Sequence, residues 1–356
     1  MSWAIWITGP PGCAKSGLAR VVEGQLRAAG SPARVLDLDE ILKALAPRAR
    51  ERAAALDVAY RAVSYMARHL TEAGIPVVID GRGRRRQWRD LARTAVPRFA
   101  EVEVVRAPDA GAAADGADID LPYEPPLSPD LVVDAAAEPV SEAAARIVDL
   151  AGRFALAPGP PRPQSWAIWI TGRPGSGKTT LAERLADALA AGDVAVRVLD
   201  LPGARGALVP DPAGTELEDE VVHRVLAYTG KLLTEAGMAV IIDATARRRA
   251  WRDAARELIP HFAEVQLVCP PDVCAERERA VRWHLAAGSP AAGASTGPAP
   301  DFALDYEESL RPELVLRTDV HDAGTAMRQA LVLVQRLRRL LERSAPSPEG
   351  GPHACP

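Results

Sequence analysis

The chain has 356 residues, with 47 Asp and Glu against 43 Lys and Arg, so its formal net charge of −4 excludes a bulk electrostatic pull toward nucleic acid or an anionic membrane. Any anion contact must therefore come from local arginine clusters, while 48% hydrophobic residues over this length can fill two cores of ordinary size. The cysteines Cys13, Cys269, Cys274 and Cys355 follow neither a metal-ligand spacing nor a disulfide framework, and Met1 runs almost directly into an apolar strand, so a cytoplasmic protein without a membrane partner is expected.

The first predicted strand, AIWITG, lies in the octapeptide SWAIWITG, and the same eight residues return at Ser165–Gly172. One domain is written twice. Gly9 pairs with Gly172, Asp37 with Asp200, Gly74 with Gly237 and Phe99 with Phe262, all at an offset of 163. Tyr123 pairs with Tyr306 at an offset of 183, so the second copy carries 20 additional residues before that tyrosine. The predicted organisation is a first domain over 1–156, a proline-rich linker over 157–164, a second domain over 165–343 and a disordered tail over 344–356.

Within each copy, short apolar strands alternate with helices. After AIWITG comes a helix over Ser16–Ala29 or Thr179–Ala191, then strand ARVLDLD or AVRVLDL, then a long helix over Ala53–Ala73 or Leu217–Ala236 closed by Gly74 or Gly237. IPVVIDG or MAVIIDA, AEVEVV or AEVQLV, and LVV or LVL supply three further strands, and a last helix spans Asp322–Glu342. The alternation predicts α/β architecture, each copy a mainly parallel sheet with helices on both faces, and with the run GRPGSGKTT directly after the first strand of the second copy the expected fold is tandem P-loop NTPase domains of kinase type.

The loop after the first strand of the second copy reads Gly172, Arg173, Pro174, Gly175, Ser176, Gly177, Lys178, Thr179, Thr180, which satisfies G-x-x-x-x-G-K-[ST]. Glycines let backbone N–H groups approach phosphate oxygens, Lys178 supplies charge and Thr179 a hydroxyl for Mg²⁺, so this loop is the candidate ATP site. The first copy keeps Gly9, Lys15 and Ser16 but has Ala14 in place of the second glycine, which predicts weak or absent nucleotide binding there.

Asp200 and Asp243 end the second and third strands of that copy, at the carboxyl edge where open α/β sheets bind ligands. Asp200 is the candidate base for a hydroxyl acceptor and Asp243 the candidate Mg²⁺ residue, the alternative for either being a cap on the following turn. Arg249, Arg252 and Arg256 recur at helical spacing, as do Arg86, Arg89 and Arg93, forming either an anion clamp or a solvated helix face. The residues unique to the second copy fall within Val273–Pro300, read as a mobile lid whose Arg277, Arg279 and Arg282 reach the nucleotide.

Together these motifs resemble the adenylyl-sulfate kinase family. The resemblance covers most of both copies and is carried by GRPGSGKTT, by VLD at Val198–Asp200, by KLLTEAG at Lys231–Gly237, by FAEVQLVCPPDVCAER at Phe262–Arg277 and by DYEESLRPELVL at Asp305–Leu316. It implies ATP and Mg²⁺ as cofactors and transfer of the ATP γ-phosphoryl group to the 3′-hydroxyl of adenylyl sulfate in sulfate assimilation. Lys178, Asp200, Asp243 and Arg249 would serve catalysis, and Arg205, Arg224, Arg249, Tyr306 and Glu307 the substrate. It also implies pairing, as an intramolecular pseudodimer of the two copies or as a homo-oligomer. The family's D-G-D survives as Asp37 and Asp39 in the first copy but becomes Asp200 and Pro202 in the second, where Val222 and Ala244 also depart from the pattern. A kinase for another small-molecule or nucleic-acid hydroxyl, and a regulatory nucleotide-binding pseudokinase, are the alternative readings.

Overall fold

A computed structural model describes residues 1–13, 15–45, 53–105, 122–154, 163–287 and 305–344. Ala14, most of the predicted linker, the small-residue end of the predicted lid and nearly all of the predicted tail lie outside the described residues. The chain divides into two compact units, Met1–Pro161 with Pro202–Val225, and Arg162–Leu201 with Leu226–Pro356.

In the first unit β1 (Ala4–Thr8), β2 (Arg34–Asp37), β3 (Val77–Asp80), β4 (Phe99–Val105) and β5 (Leu131–Asp134) form an all-parallel sheet in the order β2-β3-β1-β4-β5. In the second, β6 (Ala167–Gly172), β7 (Val196–Asp200), β8 (Ala239–Asp243), β9 (Phe262–Val268) and β10 (Leu314–Arg317) repeat it as β7-β8-β6-β9-β10. The predicted α/β architecture is therefore present twice.

Strand side chains alternate between faces, and the repeated AIWIT uses that period directly. Ile5 and Ile7 pack with Leu18, Val22 and Leu26 of α1 (Lys15–Ala28) and with Ile147 and Leu150 of α5 (Val140–Gly152). Trp6 faces the other way, toward Tyr60 of α3 (Ala53–Glu72), which stacks in turn on Trp88 of α4 (Arg86–Ala95) at 4.1 Å between centroids. Ile168 and Ile170 likewise pack with Leu181, Leu185 and Leu189 of α6 (Lys178–Ala191) and with Ala330, Leu333 and Leu337 of α11 (Ala323–Ser344). The Trp169 indole donates to the carbonyl of Ala244 at 2.9–3.0 Å, as Trp6 does to Gly81.

Two predicted elements differ. The second strand ends at Asp37 or Asp200 rather than two or one residues later, because α2 (Leu38–Leu45) or α7 (Leu201–Leu208) starts at once. Asp37 fits that corner by accepting the amides of Asp39 and Glu40 on its Oδ1, a side-chain cap that stops strand pairing. The start of the predicted lid is a helix, α10 (Pro271–Ala287).

The arginine row is neither a clamp nor a solvated face. On α9 (Arg249–Leu258), Arg252 is 1% exposed and lies 2.7 Å from Glu264 Oε1, a carboxylate on β9 that is itself 4% exposed. Its other nitrogens donate to the carbonyls of Ala246 and Glu307. Arg89 makes the corresponding set with Glu101 and the carbonyls of Gly83 and Glu124. Arg256, 27% exposed, pairs with Glu313 and Glu264, and Arg249, 41% exposed, lies 3.9 Å from Glu307. A carboxylate placed inside a sheet must have a buried cation, and that need fixes which arginines turn inward. Ala246, whose carbonyl Arg252 holds, is a non-glycine residue at φ 43°, and the matching residue of the first unit is Gly83 at φ 50°.

Replacing Arg252 by Met strands the buried Glu264 carboxylate. Chemical denaturation should show a loss of about 3–5 kcal/mol, whereas Arg249→Met should change stability by less than about 0.5 kcal/mol.

Candidate active site

The glycine-rich loop begins where β6 ends and closes into α6. Gly177, at φ 92°, is the residue before the first helical turn, and Gly175, at φ 78°, forms the loop's tip. The two glycines have different reasons to be there. A Cβ on Gly175 would run into the carbonyl of Cys274 in the first turn of α10, whereas a Cβ on Gly177 meets nothing within 4 Å. Among the described residues nothing crowds a side chain at Gly177, so the cost of one there lies in the left-handed backbone and in the space a phosphate would take.

Lys178 Nζ donates to the carbonyl of Arg173 at 3.1 Å, and Thr179 Oγ1 donates to Asp243 Oδ2 at 2.7 Å. Ser176 Oγ, fully buried beneath the loop, has no hydrogen-bond partner among the described residues, and Arg173 and Pro174 are half-buried while Thr180 is exposed. Asp243 ends β8 in direct register with Asp200 at the end of β7, so two carboxylates sit side by side at the strand ends. Asp243 is 4% exposed and Asp200 is exposed. Burial pushes the Asp243 carboxyl above the usual carboxylate range, the Thr179 hydroxyl and Lys178 draw it back, and Asp200 and Glu183 push it up. A hydroxyl and a carboxylate in contact are hard oxygen donors suited to Mg²⁺, an ion that keeps most of its shell in water and phosphate. Among the described residues no three His, Cys, Asp or Glu side chains are grouped to hold a metal.

The first unit arranges the same parts differently. Lys15 is 7% exposed, and its Nζ donates to the carbonyls of Gly9 at 3.0 Å and Pro10 at 2.8 Å and to Cys13 Sγ at 3.2 Å. Cys13 stands where the second loop has Ser176. Asp80, which corresponds in the first copy to Asp243, is also pushed up by burial and lies at Ser16.

The remaining candidates do not all converge on the loop. Glu307 Oε2 accepts the amide of Arg249 at 2.9 Å, Oε1 accepts Arg248 Nη1 at 3.2 Å, and its own amide donates to the carbonyl of Arg247 at 2.9 Å. It is a carboxylate cap on α9, held below the usual range by the Arg249 amide. Tyr306 lies at the root of the loop, 3.1 Å from Thr171 Oγ1. Arg277 is engaged within the protein: Nη2 donates to the Thr318 carbonyl at 2.8 Å and Nη1 to Thr318 Oγ1 at 3.3 Å, which pins α10 beside β10. Arg279 donates to the Ala275 carbonyl on its own helix, and the Arg282 side chain lies outside the described residues. Arg205 pairs with Asp219 at 2.7 Å and Arg224 with Glu220 at 2.5 Å on α8 (Glu216–Glu235), and both arginines belong to the first compact unit. Thr171 and Glu264 escaped the sequence reading, although a polar residue repeated inside each apolar strand, Thr8 with Thr171 and Glu101 with Glu264, was the available signal.

A parallel sheet in this order, with a glycine-rich loop running from its central strand into a helix and an acid ending the neighbouring strand, defines the P-loop kinase fold. The sequence pattern of the family described as adenylylsulphate kinase matches residues 1–134 and again residues 164–316, and the chain belongs to that family. It is 35% identical over 158 residues to a probable adenylyl-sulfate kinase of Archaeoglobus fulgidus, covering 44% of this chain and 99% of the relative. It is 30% identical over 177 residues to the adenylyl-sulfate kinase of Acaryochloris marina, covering 48% and 82%. The Mycobacterium tuberculosis APS kinase CysC in complex with AMPPNP and APS is similar at 23% identity and a TM-score of 0.39, over 49% of this chain and 99% of that one. No helix of the described residues is long and apolar enough to cross a membrane.

Two measurements check this geometry. Gly175→Ala should cost far more stability than Gly177→Ala, which carries only left-handed strain of about 1–2 kcal/mol. The Asp243 carboxyl is raised on folding, so this group's stabilisation is full below its unfolded pKa and is lost as pH rises through the folded value. At neutral pH Asp243→Asn should therefore raise the thermal midpoint while removing Mg²⁺-dependent nucleotide binding, and in the native protein that binding should fade on acidification at a higher pH than an ordinary aspartate would give.

Proposed function

We propose that the second copy is an ATP-dependent adenylyl-sulfate kinase, which transfers the γ-phosphoryl group to the 3′-hydroxyl of adenylyl sulfate. The observation that carries this reading is the intact loop closed against a strand-end acid, Thr179 Oγ1 to Asp243 Oδ2 at 2.7 Å, with Asp200 in register beside it. Family membership supports it from a separate direction.

In this reading the loop amides and Lys178 hold the ATP phosphates, and α6 presents its N-terminus to them. Thr179 and Asp243 would hold Mg²⁺, which would supply positive charge to offset that of the ATP phosphates. Asp200, exposed and next to that pair, accepts the proton of the acceptor hydroxyl as the hydroxyl oxygen bonds the γ-phosphorus in line and the bond from that phosphorus to ADP breaks. Arg249, the partly exposed arginine at the start of α9, is oriented by the carbonyl of Glu308 at 3.2 Å and supplies positive charge to the transferred group. Phosphoryl transfer needs little more than this positioning and charge. Glu307 and Tyr306 act behind these residues, on α9 and on the loop.

A second reading is favoured by a specific observation: Arg205 and Arg224, implied as substrate residues, are paired to Asp219 and Glu220. A nucleotide-binding protein without turnover, or a kinase for another hydroxyl, would tolerate that pairing.

Purified full-length protein assayed with ATP, Mg²⁺ and adenylyl sulfate should form the 3′-phosphorylated product, and Lys178→Ala should lower turnover by about a hundredfold or more. Unchanged turnover in that variant would remove the loop from the mechanism. Tight ATP binding by calorimetry with no transfer to adenylyl sulfate would select the second reading.

A further inference from the structure

Arg173 follows Gly172 in the phosphate loop, and its main chain has a clear use there, since its carbonyl accepts Lys178 Nζ at 3.1 Å. Its guanidinium is placed differently. It lies half-buried, 5.8 Å from the centre of the Tyr306 ring, and among the described residues it has neither an ion pair nor a hydrogen bond. The neighbouring arginines are committed: Arg248 and Arg249 face Glu307, Arg252 holds Glu264, Arg256 holds Glu313 and Arg277 holds the Thr318 carbonyl. Arg205 and Arg224 are paired with Asp219 and Glu220. A guanidinium is a planar fork of N–H donors, and a ring face beneath it steadies the charge without supplying the oxygens those donors take. Arg173 therefore keeps both its charge and its N–H edge for an anion.

The ring it lies over fixes the side of the loop on which that edge stands. The Tyr306 hydroxyl meets Thr171 Oγ1, which also donates to the carbonyl of Thr245 in the turn just beyond Asp243. The next residue, Glu307, caps α9 through the amide of Arg249. The main chain of Arg173 thus faces the phosphate lysine, while its side chain lies with the segment that borders the end of β8 and the start of α9. Asp243 ends β8, and Asp200 stands in register beside it. With ATP phosphates in the loop and an acceptor hydroxyl at Asp200, the remainder of the acceptor meets the loop from this side. The first loop has Pro10 at the corresponding position and so has no such cation.

We propose that Arg173 binds the anionic group of the acceptor, taking sulfate or phosphate oxygens on its N–H edge, and thereby selects an acceptor that carries such a group. The proposal rests on the reading that this loop binds ATP and that Asp200 receives the acceptor hydroxyl, and it holds for adenylyl sulfate or for another acceptor of the same charge.

The test uses the full chain with ATP and Mg²⁺, and adenylyl sulfate as the probe. Arg173→Met keeps an apolar contact with Tyr306 and the carbonyl on Lys178; it should raise KM for adenylyl sulfate about tenfold to a hundredfold, the worth of hydrogen bonds to a charged group, and leave KM for ATP within about twofold. Arg173→Lys, which keeps the charge without the planar fork, should fall between wild type and Arg173→Met. Calorimetry on protein saturated with ADP and Mg²⁺ needs no turnover: inorganic sulfate should bind the wild type and bind Arg173→Met at least about tenfold more weakly. An unchanged KM for adenylyl sulfate in Arg173→Met, or an equal rise in both KM values, would overturn the proposal, the latter because the side chain would then only shape the loop. A loss confined to kcat would place the guanidinium on the transferred phosphoryl group and overturn it as well. Wild-type protein that binds sulfate through Arg173 yet transfers nothing to adenylyl sulfate would overturn the proposed function alone, whereas transfer with a KM indifferent to Arg173 would overturn this proposal alone.

Discussion

The buried guanidinium–carboxylate pair, Arg252 with Glu264 and Arg89 with Glu101, is the constraint on which each domain depends. A glutamate inside a parallel strand cannot reach water, so its arginine must cross from the neighbouring helix and stay there. Once fixed, the guanidinium spans three elements: its remaining nitrogens hold the turn after β8 and the carbonyl of Glu307. The sheet, α9 and the segment carrying Tyr306 and Glu307 are thereby joined at one ion. Such a pair adds little net stability over an apolar alternative, but it specifies one arrangement of its neighbours. In both copies that arrangement places a tyrosine beside the threonine that precedes the phosphate loop.

Much of this was legible in the sequence. Strand and helix order followed from short apolar runs, and the repeat doubled the signal, since each element could be checked against its counterpart. The loop was legible because phosphate chemistry permits few residue types there. What could not be read was the direction in which charged side chains turn. Arginines at three- and four-residue spacing look alike whether they face solvent, a ligand or a buried acid, and only the partner, here Glu264 or Glu313, distinguishes Arg252 and Arg256 from Arg249. The same limit applied to Arg277, whose placement depends on the carbonyl of Thr318, 41 residues away in the chain. Strand ends were also misjudged, because a carboxylate cap at Asp37 can turn apolar residues that look like strand into a helix.

The two loops diverge in small, connected steps. Ser176 becomes Cys13, the second glycine becomes Ala14, and Gln266 becomes Glu103. Each change leaves the scaffold intact, since Trp, Thr, Tyr and the buried Arg–Glu pair persist in both copies with similar partners. Function in this fold therefore resides in a thin layer at the carboxyl edge of the sheet, which can change while the layers beneath it do not.

The turn after β8 carries one more consequence. Ala246 occupies a left-handed conformation that its counterpart Gly83 adopts without penalty. The second domain thus keeps a methyl group in an unfavourable backbone state three residues beyond Asp243, restrained by the Arg252 guanidinium on its carbonyl. That turn behaves as a loaded spring rather than a passive connection: the ion pair that organises the core also holds about 1–2 kcal/mol of elastic energy directly beyond the strand end that carries Asp243. Relaxation there would shift Thr245, and with it the floor on which the phosphate loop rests.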